Sequence, residues 1–234
     1  MERFAVVTGA SAGIGRATAL LLARARWSMM LSGRDGSRLT RIARACVAQG
    51  AGPVYTSALD LRVPEQVTRL SVAVAAETNV VHGLVNVAGT GRFAPLSALD
   101  LTEVVEMVSI NTVAPWMLTK MLLPLLRRAQ PIASVVNITS DAAYFGFPDA
   151  SGYCASKAGL AGLSRSLQME LREQGIRLTM VAPGRVDTTF NSRKVGDRLG
   201  ALAAEEVAEV VQFCIECSPN IDLTEVRLDS MSRN

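Results

Sequence analysis

Apolar and polar positions along the chain follow two periods in alternation. Short apolar or alternating runs have the length and β-branched content of strands: FAVVT (4–8), WSMMLS (27–32), PVYTSA (53–58), GLVNVA (83–88), SVVNIT (134–139), RLTMVA (177–182) and TEVRLD (224–229). Several hold hardly a polar position, as strands do when both faces of their sheet are covered. Between them, apolar residues recur at helical spacing over 13–25, 36–48, 64–77, 111–128, 153–173 and 204–217. This alternation predicts an α/β architecture, a doubly wound, seven-stranded and mainly parallel sheet with helices on both faces. No repeat, low-complexity segment or linker interrupts it, so residues 1–234 are expected to form a single domain.

Composition narrows the classes of function. At 49% hydrophobic and 19% charged, the chain has ample material for one core. No apolar run reaches the length of a bilayer span, and residues 1–8 read as a strand rather than a leader, so a soluble cytoplasmic protein is expected. The net charge is a modest +3, and the basic residues, all but three of the 24 being arginine, are scattered with no interleaved aromatic stripe. That argues against nucleic-acid binding. Four cysteines (46, 154, 214 and 217) are too few for a disulfide framework in a chain of 234 residues. Cys214 and Cys217 form a CxxC, but within the apolar helical pattern VAEVVQFCIEC, with no second pair and with the single histidine, His82, far away in sequence. Buried helix cysteines fit this better than a redox or zinc site, and no metal ligands are expected. Ser-His-Asp catalysis likewise lacks convincing residues.

Two constellations carry chemistry. TGASAGIG follows the first strand and opens the first helix, setting Gly9, Gly13 and Gly15 in a turn whose backbone can approach a pyrophosphate resting on the helix N-terminus. Other nucleotide binders use related loops, and an ordinary glycine turn is the bland alternative. Tyr153 and Lys157, in YCASK, lie one turn apart on one helix face. A lysine cation beside a phenol favours the phenolate, so such a tyrosine is expected to exchange protons nearer neutrality than its ordinary value of about 10. Carbonyl reduction by hydride needs such a group, because the developing alkoxide must collect a proton.

These pieces, with Asp60 after the third strand, NVAG (86–89), Asn111, Ser140 and PGRVDT (183–188), resemble the short-chain dehydrogenase/reductase family in its short single-domain form, from Phe4 to about Thr188. The resemblance implies a Rossmann fold and an enzyme interconverting carbonyl and alcohol groups. Matched residue by residue, it implies Tyr153 as general acid/base and Lys157 lowering its pKa while holding the nicotinamide ribose. It implies Ser140 polarising the substrate oxygen, and a proton-relay water on the Asn111 carbonyl. That last role has independent support: Pro115, four residues on, has no N–H to occupy the carbonyl. Pro115 is otherwise an ordinary first-turn proline. The family pattern also implies cofactor contacts from Gly9, Ser11, Ala12, Gly13, Ile14 and Gly15, and from Asp60 and Leu61 at the adenine edge. Asn86, Ala88 and Gly89 fall beside the adenosine, and Pro183, Gly184, Val186 and Thr188 beside the nicotinamide. Val87 departs from the family's NNAG motif.

At the end of the second strand, LSGRD puts Gly33 where an NAD-type carboxylate belongs, with Arg34 next. Arginine clasps a phosphate through paired N–H bonds, and Ser11 adds a hydroxyl, so NADP(H) is expected over NAD(H). Ala12 lacks the basic side chain of many NADP-dependent relatives. Asp35 belongs to the turn that starts the next helix, and Arg38 and Arg41 read as a solvated face. Substrate walls are expected from 90–95, 141–151 and 185–203, with 189–203 forming a short lid; Tyr144, Phe145 and Phe147 read equally as an aromatic substrate face or as a packed loop, and Arg185 and Arg193 read as surface residues ahead of contacts to an acidic substrate. The apolar helix after Asn111 and the small residues of the Tyr153 helix point to a homodimer or homotetramer. A non-catalytic NADP(H)-binding sensor or partner protein on the same fold is the alternative function. A lyase or epimerase would need a larger substrate domain.

Overall fold

The computed structural model describes residues 3–192 and 194–231. The chain runs β1 (Phe4–Val7), α1 (Gly13–Arg24), β2 (Ser28–Gly33), α2 (Gly36–Ala48), β3 (Val54–Ala58), α3 (Pro64–Glu77) and β4 (Gly83–Asn86). It continues α4 (Leu101–Val108), α5 (Ala114–Leu126), β5 (Ala133–Ile138), α6 (Ser151–Arg172), β6 (Ile176–Pro183), β7 (Val186–Asp187), β8 (Leu202–Ala203), α7 (Ala204–Glu216) and β9 (Glu225–Leu228). Seven strands form one sheet in the order β3-β2-β1-β4-β5-β6-β9, and every pairing is parallel. Strand order reverses between β1 and β4, whose connections leave to opposite faces, and a crevice opens there beyond the strand ends.

The sheet is covered on both sides, which explains its continuous apolar strands. On one face Val6, Leu84, Val135 and Leu178 pack against Leu70 of α3 and Leu118 and Leu122 of α5. On the other, Val7, Leu31, Val85, Val136 and Val181 meet Leu22 of α1 and Val207 and Val211 of α7. Alternation along each strand thus feeds two cores rather than one core and solvent.

Two features depart from the sequence pattern. The single helix expected over 111–128 is preceded by α4 and joined to it through a π turn at Ser109–Val113, where the Ala114 N–H donates to the Ser109 carbonyl. The missed start signal is a D-x-x-E capping box, in which Glu103 Oε2 accepts from the Asp100 N–H at 3.3 Å. The second is the short parallel pair β7–β8, with Val186 opposite Leu202, which ties together the two ends of the expected lid segment.

Close helix–strand approach fixes the turn after β1. A Cβ on Gly15 would lie 2.4 Å from the Gly9 carbonyl oxygen, a backbone atom with nowhere to go. Gly15→Ala is therefore expected to push α1 off the turn and lower folding stability by about 1–3 kcal/mol, measured by urea denaturation; wild-type stability in this variant would refute the packing role.

Candidate active site

The crevice at the β1/β4 switch point is a cleft of about 1050 Å³. Its floor is the turn after β1. Gly9 has φ +65°, and a Cβ there would stand 2.9 Å from the Ala88 backbone nitrogen. Gly13 has φ +51°, with its missing Cβ 3.2 Å from Thr188 Cγ2. The two loops are stitched by Thr8, whose hydroxyl accepts from the N–H groups of Val87 (3.0 Å) and Ala88 (3.1 Å). Ala12, the residue before α1, offers no side-chain cap, so the first-turn N–H groups of α1 face the cleft without a side-chain partner. A bare cradle shaped by absent Cβ atoms at a helix N-terminus fits a dinucleotide's diphosphate.

Of the residues singled out from sequence, Gly9, Ser11, Ala12, Gly13, Ile14, Arg34, Leu61, Ala88, Gly89, Ser140, Tyr153, Lys157, Pro183, Gly184, Val186 and Thr188 line this one cleft. Four do not. Gly15 sits behind the turn as packing. Asp60 is turned away because Arg62 holds its carboxylate, at 2.6 Å from Nη2, while Leu59, Leu61 and Arg62 form the wall. Asn86 is buried under the loop, donating to Asn137 Oδ1 at 2.8 Å, and Asn137 in turn donates to Ser164. Asn111, also buried, pins the 89–91 loop to α6. Its Oδ1 accepts from the Thr90 N–H (2.9 Å), and its Nδ2 donates to the Thr90 carbonyl (2.8 Å) and to Ser156 Oγ (2.9 Å).

Tyr153 and Lys157 share one face of α6, beside Ser140 on the turn after β5. The Tyr153 ring lies beside Phe93 and Phe190, with centroids 5.4 and 5.9 Å away, and its phenol is close enough to the Ser140 hydroxyl for that group to favour its ionised form. Lys157 is 6% exposed; its ammonium donates to the Ile138 carbonyl at 2.8 Å and stands 5.9 Å from the centre of the Tyr153 ring. The expected depression of the tyrosine is reversed in this state. Burial pushes Tyr153 up to about 12, opposed by the Ser140 hydroxyl and the charge of Arg198. Burial likewise pulls Lys157 down to about 8. Each group sits where its charged form is poorly solvated, and the lysine's bond goes to a backbone carbonyl rather than to the phenol.

Of the two readings of the 144–147 aromatics, the packed loop is the one found. Tyr144 and Phe145 pack beneath Arg227, and neither they nor Phe147 line the cleft; Phe93 and Phe190 take that place. Arg185 is exposed outside the cleft, and Arg193 lies outside the described residues. Arg38, read as a surface residue, lines the cleft beside Arg34 because Asp35 caps α2 and pairs with Arg38 at 3.1 Å. Arg62 and Arg198 had no sequence signal. The His82 imidazole Nδ1 accepts from the Phe4 backbone N–H at 3.2 Å, and its pKa is lowered by burial and by Arg3. Burial pushes the Cys46 and Cys214 thiols up to about 11 and about 12. Among the described residues no three His, Cys, Asp or Glu side chains gather as a metal site, and no helix is long and apolar enough to cross a membrane.

A family model described as short chain dehydrogenase matches residues 3–198. A sepiapterin reductase of Chlorobaculum tepidum is 34% identical, covering 94% of this chain and 93% of that protein. A sulfoacetaldehyde reductase of Chromohalobacter salexigens is 32% identical over 95% of this chain and 91% of its own. Among solved structures, an alcohol dehydrogenase from the archaeon Thermococcus sibiricus, complexed with 5-hydroxy-NADP, superposes with a TM-score of 0.93 at 32% identity, covering 100% of this chain and 99% of that one. A metagenomic short-chain oxidoreductase in complex with NADP gives 0.86 at 30% identity, over 99% and 98%.

The buried lysine makes stability depend on pH. Below about 8 both folded and unfolded chains carry the Lys157 proton, and the penalty for burying its charge is fully present. Between about 8 and the ordinary 10.5 only the unfolded chain keeps that proton, so this group's contribution to stability rises with pH. Denaturant titrations at pH 7, 8.5 and 10 should show wild type gaining on Lys157→Met by on the order of 2–3 kcal/mol across that window. Parallel profiles would mean that the ammonium is not desolvated.

Proposed function

Because the chain belongs to the short-chain dehydrogenase/reductase family, we propose that this NAD(P)-dependent oxidoreductase interconverts a carbonyl and an alcohol, with NADP(H) preferred and Tyr153 as the proton donor. The observation that carries the reading is the convergence of Ser140, Tyr153 and Lys157 on the wall of the same cleft whose floor is the Gly9–Gly13 turn. A bound reduced nicotinamide supplies a hydride to the carbonyl carbon; the rest of the chemistry belongs to this chain. Ser140 and Tyr153 line the same stretch of the cleft, so their two hydroxyls can meet one carbonyl oxygen resting there. As negative charge develops on that oxygen, Tyr153 gives it a proton. The phenolate left behind is stabilised by Lys157 and by Arg198, whose charge already favours it. Phe93 and Phe190 cover the ring and keep water from it. Asn111 acts one step back, holding the 89–91 loop and α6 in register.

Arg34 and Arg38 stand at the adenosine end, and the tip of β2 presents Gly33 instead of a carboxylate; both features support a 2′-phosphate there. An assembled form is part of the same reading. Leu101, Val105, Val113 and Trp116 on the α4–α5 segment and Met169 on α6 leave apolar surface for a homodimer or homotetramer to cover.

Nicotinamide absorbance followed over ketones and aldehydes tests these assignments. Tyr153→Phe should lower kcat by about 10²–10⁴-fold without loss of cofactor binding; retained turnover would remove the tyrosine from its role. Arg34→Ala should raise the KM for NADPH by about 10–100-fold and leave that for NADH little changed. An equal effect on both cofactors would sink the phosphate assignment.

A further inference from the structure

The charges lining the cleft are all of one sign. Arg34, Arg38, Arg62, Lys157, Arg92 and Arg198 contribute to its wall, and among the described residues no aspartate or glutamate does. The first three gather at the ends of β2 and β3, where an adenosine phosphate accounts for them. Arg92 and Arg198 gather at the other end. Arg92 sits between Gly91, where a Cβ would stand 3.1 Å from Tyr153 Cδ2, and Phe93, which packs on the Tyr153 ring. Arg198 is half-buried; its Nη1 donates to the Val186 carbonyl at 2.8 Å, and it comes from the segment whose Phe190 also packs on that ring. Between β2 and β5 lie three strand spacings, roughly 14 Å. A 2′-phosphate at the adenosine end is too distant to account for a second pair of cationic side chains at the Tyr153 end, and the diphosphate is the cofactor anion that the test must separate from a substrate anion.

We propose that Arg198, with Arg92 at the rim, binds a carboxylate or sulfonate on the substrate, whose apolar or planar body packs against the cleft-facing sides of Phe93 and Phe190. The substrate class is thus a small anionic carbonyl compound, and the proposal rests on the carbonyl-reducing reading of the same cleft. Arg92 is exposed and paired with Glu103 at 3.0 Å, so it supplies field and rim contacts, while the half-buried Arg198 supplies the orienting bond. The fork of a guanidinium matches the two oxygens of a carboxylate, and the backbone bond to Val186 fixes its plane.

The test pairs 4-formylbenzoate with 4-formylbenzamide, which differ in charge and hardly in shape, as substrates with NADPH. The wild-type kcat/KM should favour the carboxylate by about 10–100-fold, carried mainly by KM; Arg198→Gln should collapse that ratio, and Arg198→Lys should restore part of it. Equal turnover of acid and amide by the wild type overturns the proposal. So does a tenfold weaker NADPH affinity in Arg198→Gln, which would put the guanidinium on the cofactor. If neither aldehyde is reduced, calorimetric binding of 4-(hydroxymethyl)benzoate and its amide to the NADPH complex, which cannot react with an alcohol, separates the two ideas. Selective binding of the acid that is lost in Arg198→Gln upholds the anion site and counts against the reductase reading; equal or absent binding rejects the site.

Discussion

Close approach of two backbones at the switch point is the constraint from which the rest of the architecture follows. The turn after β1 rides against the loop after β4 with no room for a Cβ at Gly9, and α1 rides against the turn with no room at Gly15. Thr8 converts that contact into fixed register by accepting two N–H bonds from the opposite loop while lying buried itself. Because the two loops cannot separate or slide, the α1 N-terminus, Ala88 and Gly89 face one space, and everything that enters it is measured from this joint. Asn111 performs the matching task on the other side, fastening Thr90 to α6 and so to Tyr153. The cofactor floor and the reacting side chains are thereby connected through a short chain of buried polar bonds rather than through flexible loops.

Burial sets the electrostatics of the centre more than pairing does. Tyr153 and Lys157 are each pushed toward their neutral form, the phenol up and the ammonium down, because both lie in a poorly solvated wall. In this state the lysine spends a hydrogen bond on the Ile138 carbonyl. Ribose hydroxyls arriving beside it would offer the ammonium acceptors and bring local polarity, so the centre is tuned when it is filled. The wall of the cleft carries basic side chains and, among the described residues, no acidic one, so its field favours an anionic occupant.

Much of this was legible in the sequence. Every strand of the main sheet lies close to the run that predicts it; the inner strands, buried on both faces, need continuous hydrophobicity, while the edge strands β3 and β9 are only partly buried. The glycine turn and the tyrosine–lysine spacing were readable because their geometry is local. The failures come from side-chain pairings that the hydrophobic pattern does not announce, several of them between residues distant in the chain. Nothing in the sequence near Asp60 says that Arg62 will take its carboxylate and Glu106 will brace the other side of the guanidinium. Tyr144 and Phe145 are neighbours of Ser140, yet Arg227 of β9 draws them to the sheet edge, and the rings that do cover Tyr153 arrive from segments around 93 and 190. Arg198 is placed by a bond to Val186 that only the β7–β8 pairing makes reachable.

The π turn at Ser109–Val113 has a geometric meaning of its own. One residue advances an α-helix by about 100°, so a single wide turn shifts the phase of everything that follows by about a quarter-circle. Before the turn, α4 presents itself to α6; after it, α5 presents itself to α3 and the sheet. A continuous α-helix with the same residues could satisfy one of these partners or the other. The wide turn acts as a rotary joint, letting one rod serve two faces of the molecule, with Asn111 seated where the rotation occurs.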